Sequence, residues 1–95
     1  MGKLIEGTHH IALKAVGEAE YHKTVGFYRD ILGMPVIRSW EGGGMSGTML
    51  DTGNSIMEIM SNGTDHPGQG AIRHFALATR DVDACVKAVR EAGYA

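Results

Sequence analysis

The chain has little cysteine and no excess of either charge. Its single cysteine, Cys85, excludes a disulfide within the chain, and a reducing cytoplasm is the simplest setting for it. The net charge is −2 and the 9 basic residues are scattered, so the sequence predicts neither a nucleic-acid partner nor binding to an anionic membrane surface. No apolar run approaches the length of a membrane span, so we expect no membrane partner either.

Glycine, by contrast, is abundant, with 14 in 95 residues, which indicates many turns. Hydrophobic residues make up 43%, an ordinary value for a globular protein, and the length suits one small domain. The spacing of the apolar residues predicts an α+β fold in the order β-α-β-β-β followed by β-α. The predicted strands cover 8–16, 36–40, 45–51, 55–60 and 71–78, and the predicted helices cover 17–32 and 82–92.

A polar stretch rich in turn formers, 62–70, divides this pattern into two modules. The first covers 7–61, and 71–95 begins a second that repeats it, since H-I-A-L at 10–13 recurs as H-F-A-L at 74–77. Such a repeat indicates two copies that complete each other's core. We therefore predict one domain over 1–95 whose second module is incomplete.

Alternation along the first strand assigns its side chains to two faces. The core side has His9, Ile11, Leu13 and Ala15, and the opposite side has His10, Ala12 and Lys14. His9 and His10 are therefore predicted to point in opposite directions. In the fourth strand, Glu58 shares a face with Ile56 and Met60.

Three residues are predicted to converge, because each lies within a strand on its less apolar face: His10, Glu58 and His74. Two imidazoles and a carboxylate suit Zn²⁺, Ni²⁺, Mn²⁺ or Fe²⁺. Glu58 stands among large hydrophobic residues in I-M-E-I-M, where an unpaired buried charge is costly and needs a cation or a strong donor. The alternatives are a structural role for each histidine and a solvent-facing position for Glu58.

Five stretches in a fixed order resemble the vicinal oxygen chelate superfamily, also called the glyoxalase/bleomycin-resistance/dioxygenase superfamily. They are H-H-I-A-L-K-A-V at 9–16, F-Y-R-D-I-L-G-M at 27–34, M-L-D-T-G with I-M-E-I-M at 49–60, H-F-A-L-A-T-R-D-V-D at 74–83 and E-A-G-Y at 91–94. The resemblance implies a glyoxalase-like fold of paired βαβββ modules around a U-shaped metal site. It also implies His10, Glu58 and His74 as three of four metal ligands.

In that family the fourth ligand is a Glu on the last strand of the second module, and the repeat places it at about position 118, past Ala95. We therefore expect the sequence to be part of a protein of roughly 125 to 140 residues, and the 95-residue chain to be inactive alone. The alternative is a natural fragment that borrows strands from another chain.

The His-Glu-His pattern is most similar to glyoxalase I (lactoylglutathione lyase). This implies a metal-dependent lyase or isomerase acting on a 2-oxoaldehyde thiol hemithioacetal, by proton transfer through a metal-bound enediolate. Glu58 would be a catalytic residue as well as a ligand, although the main base is expected to be the missing Glu. Zn²⁺ or Ni²⁺ is the expected metal, with Mn²⁺, Co²⁺ or Fe²⁺ as alternatives, and a homodimer is the expected assembly.

Substrate-binding roles are implied for Lys14, Arg38 and Asn62, and a solvated surface or turn position is the alternative for each. Two other functions stay open. One is another metal-dependent member of the family, an acyl-CoA epimerase or an extradiol-type dioxygenase. The other is a non-catalytic protein that binds a drug or other small molecule in the same fold, although such binders typically lose the metal ligands.

Overall fold

Four strands and two helices make up the regular structure of residues 4–68, 70–72 and 74–94, which are the part of the chain that the computed structural model describes. Their bounds are β1 His10–Lys14, α1 Gly17–Gly26, β2 Val36–Gly42, β3 Met45–Asp51, β4 Ile56–Met60 and α2 Val82–Glu91. A π-helical turn, Phe27–Ile31, continues α1. The α+β class and the β-α-β-β-β order of the first module are confirmed. The division of the chain at 62–70 stays a prediction.

The strands lie side by side in the order β1-β4-β3-β2. β1 and β4 run parallel, which requires a crossover connection, and α1 lies within that connection. β2, β3 and β4 form an antiparallel meander. Gly43 and Gly44 join β2 to β3 with φ angles of 61° and 79°, and a two-residue hairpin turn with both central residues in this region favours glycine at each.

One face of the sheet forms the core, because α1 packs against it. The buried apolar side chains are Ala15, Tyr21, Val25, Leu50, Met57 and Ile59. Exposure alternates along β1 and β4 as the sequence predicts, with Ile11 and Leu13 packed against this cluster. The hydroxyls of Tyr21 and Thr48, both buried, lie 2.5 Å apart and join the helix to β3. The opposite face of the sheet is therefore the one that carries the polar candidates.

Buried serines fix the first turn of α1 to the sheet. The Glu18 carboxylate accepts a hydrogen bond of 2.8 Å from the Ser46 hydroxyl, and it lies 3.4 Å from the hydroxyl of Ser61. Ser61 also accepts the Ser46 backbone N–H at 2.8 Å. Because both serines are buried, these partners offset the cost of removing their polar groups from water.

The predicted fifth strand, 71–78, is wrong for the described residues, because 70–72 and 74–78 form no strand. A strand is stable only when its backbone pairs with a neighbour, and this segment pairs with none of the described strands. The second helix is confirmed. Asp81 is its N-cap residue, and the Asp81 carboxylate accepts the Ala84 N–H at 2.9 Å. None of the helices within the described ranges has the length and apolarity to cross a membrane.

Candidate functional site

The face of the sheet opposite α1, here called the open face, carries four of the predicted site residues. The register aligns Ala12, Glu58, Met49 and Arg38 in one row across β1, β4, β3 and β2. It aligns Lys14, Met60, Gly47 and Trp40 in the next row. Directly paired residues point to the same face, and His10 is on it as well, since it is two residues from Ala12. The local alternation of polar and apolar residues thus assembles His10, Lys14, Arg38 and Glu58 on one surface.

His10 and Glu58 are diagonal neighbours on this face. His10 pairs with Ile56, two residues before Glu58. The strand spacing and the rise per residue then place their Cα atoms roughly 8 Å apart. Glu58 is half-buried and has no hydrogen-bond or ion-pair partner within the described part of the chain. An imidazole and an unengaged carboxylate in this arrangement have the donor chemistry that divalent transition metals prefer.

His9 does not point away from His10, which corrects the alternation-based prediction. The two Nδ1 atoms lie 2.9 Å apart, with the rings edge to face at 82°. The reason is that β1 begins at His10, so His9 precedes the strand and does not follow its alternation. The contact requires one Nδ1 to carry the proton. When His10 is the donor, its Nε2 is left as an acceptor, which is the state that a metal ligand needs.

His74 does not join His10 and Glu58. It is exposed, in the irregular stretch that replaces the predicted fifth strand. Across residues 4–68, 70–72 and 74–94, the structure brings together no group of three His, Cys, Asp or Glu side chains that could hold a metal ion. The predicted convergence of three ligands is therefore not seen. His10 and Glu58 fit as part of a metal site, and the described residues do not complete it.

The predicted substrate-binding residues surround Glu58 at different distances. Arg38 is in the same row two strands away, which corresponds to about 10 Å between Cα atoms. Lys14 lies two residues after Ala12, the direct partner of Glu58, so its Cα is roughly 8 Å from that of Glu58, on the side away from His10. Asn62 follows β4 and bridges to Val16, so it lies at the same end of the sheet as Lys14. Cationic and amide groups therefore flank the central carboxylate on two sides.

Two residues with no predicted role also shape the open face. The Trp40 indole lies directly over Gly47, and a Cβ on Gly47 would overlap the ring. The Arg38 guanidinium lies over the same ring, with Cζ 5.1 Å from the ring centroid. Gly47 is itself the sequence signal for this contact, because a glycine inside a strand often marks a position that another group approaches closely.

A separate apolar cleft lies away from these residues. It is bordered by the turn at 51–56 on one side and by residues 75–79 on the other, and Ile11, Leu32 and Cys85 also line it. Of the described site candidates, neither His10 nor Glu58 contributes to its wall. The cleft therefore borders the open face at Asp51 and Ile56 without including His10 or Glu58.

The sequence matches the model of the Glyoxalase/Bleomycin resistance protein/Dioxygenase superfamily over residues 7–95. The chain belongs to this superfamily. The resemblance noted in its five stretches is thereby confirmed. A search among curated proteins found no match.

Solved structures share the superfamily fold with this chain. The trypanothione-dependent glyoxalase I of Leishmania major superposes with a TM-score of 0.68 at 22% identity, over 93% of this chain and 67% of that one. The crystal structure of SMU.1112c superposes with a TM-score of 0.72 at 24% identity, over 96% of this chain and 77% of that one. At these identities the likeness establishes the fold, including the βαβββ order that places His10 and Glu58 on one face.

Proposed function

We propose that the protein is a metal-dependent lyase or isomerase of the glyoxalase type, acting on the hemithioacetal of a 2-oxoaldehyde and a thiol. The observation that carries the proposal is the placement of His10 and Glu58 as neighbours on the open face, with the Glu58 carboxylate unengaged within the described chain. Membership of a superfamily that includes glyoxalases supports it. Zn²⁺ or Ni²⁺ is the proposed metal, with Mn²⁺, Co²⁺ and Fe²⁺ as alternatives.

Each residue has a stated part in this proposal. A divalent metal, when bound, would withdraw electrons from the two adjacent oxygens of the substrate and make the proton on C1 more acidic. One carboxylate within reach of both carbons can take up that proton and return it to C2. The further Glu expected outside the sequence given is the proposed main base, and Glu58 is a ligand that contributes to the transfer. His10 would hold the metal through the nitrogen that does not face His9, because a hydrogen-bond partner on the other nitrogen orients such an imidazole.

Further parts of the proposal depend on sequence patterns alone. His74 is retained as a third ligand because of the H-F-A-L repeat, and a further Glu ligand is expected outside the sequence given. Lys14, Arg38 and Asn62 are proposed to bind the thiol. A cytoplasmic homodimer belongs to the same proposal.

Metal analysis combined with a turnover assay tests the proposal. The purified full-length protein should hold a stoichiometric divalent metal, which His10→Ala and Glu58→Gln should lose. His22→Ala is the matched control, since this exposed histidine on α1 lies near Glu18 at 3.7 Å and away from the open face. An absorbance assay with methylglyoxal and a panel of thiols as substrates should show turnover by the protein, and a chelator should abolish it. Absence of metal, with ligand binding unchanged in His10→Ala, would contradict the enzyme proposal.

A non-catalytic binding protein is the second candidate, and one observation favours it. Three half-buried methionines line the open face, at positions 45, 49 and 60. Flexible, polarisable methionines form apolar surfaces that adapt to different ligands. Saturable binding of an apolar ligand that needs neither metal nor Glu58 would support this function in place of the first.

A further inference from the structure

Three residues form a stack at the β2 side of the open face. Gly47 and Trp40 pair directly across β3 and β2, and the indole fills the space that the missing side chain leaves. Arg38 lies two residues before Trp40 on the same strand and face, and its Cζ is 5.1 Å from the ring centroid. This distance is within the reach of about 6 Å at which a guanidinium is attracted to an aromatic face.

The stack leaves the hydrogen-bonding edge of Arg38 available. The attraction between a guanidinium and an aromatic face is electrostatic, so it does not require the N–H donors to form hydrogen bonds with the ring. Within residues 4–68, 70–72 and 74–94, Arg38 makes no salt bridge or side-chain hydrogen bond. Asp51 lies on the same face, but its carboxylate accepts the Gly53 N–H at 2.6 Å. Glu41 pairs with Ser46 and therefore points to the opposite face.

A guanidinium held in this way is suited to one kind of ligand group. Its planar fork matches the two oxygens of a carboxylate, which it binds through two parallel N–H···O bonds. Because stacking has already restricted the side chain, less conformational entropy is lost on binding. The methionine at 49 lies between Arg38 and Glu58 in the same row, so the path between the two polar groups is apolar.

We propose that Gly47 and Trp40 are positioning residues that hold Arg38 for binding a carboxylate of the substrate. The inference rests on the proposed function and narrows it to an anionic thiol adduct. The carboxylate of this adduct would bind Arg38 over β2, at a residue whose Cα is about 10 Å from that of Glu58, and an apolar segment of the substrate would lie between the two. Gly47 sets this specificity because any larger residue displaces the indole that supports the guanidinium.

The single tryptophan provides a direct measurement, since Trp40 is the only one in the sequence. The metal-free protein is titrated with S-hexylglutathione and, separately, with its diethyl ester, which has the same chain without the carboxylate charges. A carboxylate that pairs with the cation over the indole should change the Trp40 emission saturably. Loss of the charged hydrogen bonds in the ester, or in Arg38→Gln, should weaken binding about tenfold or more.

Two glycine variants separate positioning from general structure. Gly47→Ala should move the indole and weaken binding of the free acid about tenfold, even though Arg38 is intact. Gly42→Ala is the control, because a Cβ there would meet no described atom within 4 Å, and it should bind as the wild type does. Circular dichroism verifies that both variants fold. Arg38→Lys keeps the charge without the flat fork and should not restore full affinity.

Equal affinity of wild type and Gly47→Ala, an unchanged titration in Arg38→Gln, or full affinity in Arg38→Lys would each overturn the positioning role. The result is separable from the proposed function. Carboxylate binding without metal-dependent turnover would support the role of Gly47 and Trp40 in positioning Arg38 and contradict the proposed lyase activity. Turnover that Gly47→Ala leaves unchanged would support the lyase activity and contradict the positioning role.

Discussion

Replacing Glu58 by methionine should stabilise the metal-free protein, although it removes the proposed catalytic carboxylate. Glu58 lies half-buried on the open face, directly opposite Met49, with no hydrogen-bond or ion-pair partner in the described chain. An apolar pair directly opposite across two strands contributes about 0.2–1 kcal/mol relative to alanine. Removal of an unpaired, partly desolvated charge acts in the same direction. We therefore expect the free energy of unfolding to rise by about 0.5–1 kcal/mol.

Urea and thermal denaturation in the presence of a chelator measure this change. For a domain of this size, 1 kcal/mol corresponds to about 4–8 °C in Tm. If Glu58 is a ligand as proposed, added Zn²⁺ or Ni²⁺ should reverse the order of stability. A ligand at about 100 times its Kd stabilises a protein by about 2.7 kcal/mol, and this gain is expected for the wild type and not for the variant. Glu41→Met is the control, since this exposed carboxylate points to the other face and its loss should change stability by less than about 0.5 kcal/mol.

Two results would refute this reasoning. If Glu58→Met is less stable than the wild type without metal, the carboxylate has a structural role on the open face. If metal stabilises the variant as much as the wild type, Glu58 is not a ligand.

Three further predictions concern the parts of the fold that hold the site. Tyr21→Phe removes the hydrogen bond between the buried hydroxyls of Tyr21 and Thr48 and should lower the free energy of unfolding by about 1 kcal/mol. A double-mutant cycle with Thr48→Val, measured by urea denaturation, gives the coupling energy of the pair. Burial raises the pKa of Tyr28, so its stabilising contribution is complete below about pH 10 and is lost as pH rises through the folded-state pKa; Tyr28→Phe should flatten the alkaline limb of a stability–pH curve. Asp81→Ala removes the N-cap of α2 and should cost about 1 kcal/mol, visible as faster amide exchange in the first turn, whereas Asp83→Ala should cost less.

The first module could be predicted closely because its signals are local. Alternation in H-I-A-L-K and I-M-E-I-M assigns Glu58 and His10 to the less buried face, and the structure has the same alternation. Glycines mark the hairpin, and Asp81 marks the start of α2. These patterns depend on a few neighbouring residues, so a single sequence contains them in full.

The errors concern features that depend on distant parts of the molecule. A strand at 71–78 needs a pairing partner, and its own residues cannot supply one. The orientation of His9 depends on where β1 begins. A strand that began at residue 8 would direct His9 away from His10, whereas β1 begins at His10. The stack on Gly47 follows from cross-strand register, which becomes predictable only when Gly43 and Gly44 are identified as the two turn residues.

The strand order has a consequence for how the protein folds. β2, β3 and β4 follow one another through short turns, whereas the paired residues His10 and Ile56 are 46 positions apart. Closing a long loop costs more entropy, and pairing between distant segments slows folding. We expect the meander to form first and β1 to dock last, which slower amide protection at 10–14 than at 45–60 during refolding would show. Glu58 and His10 then become neighbours only in the final step, so a partly folded chain lacks the donor pair of the proposed metal site.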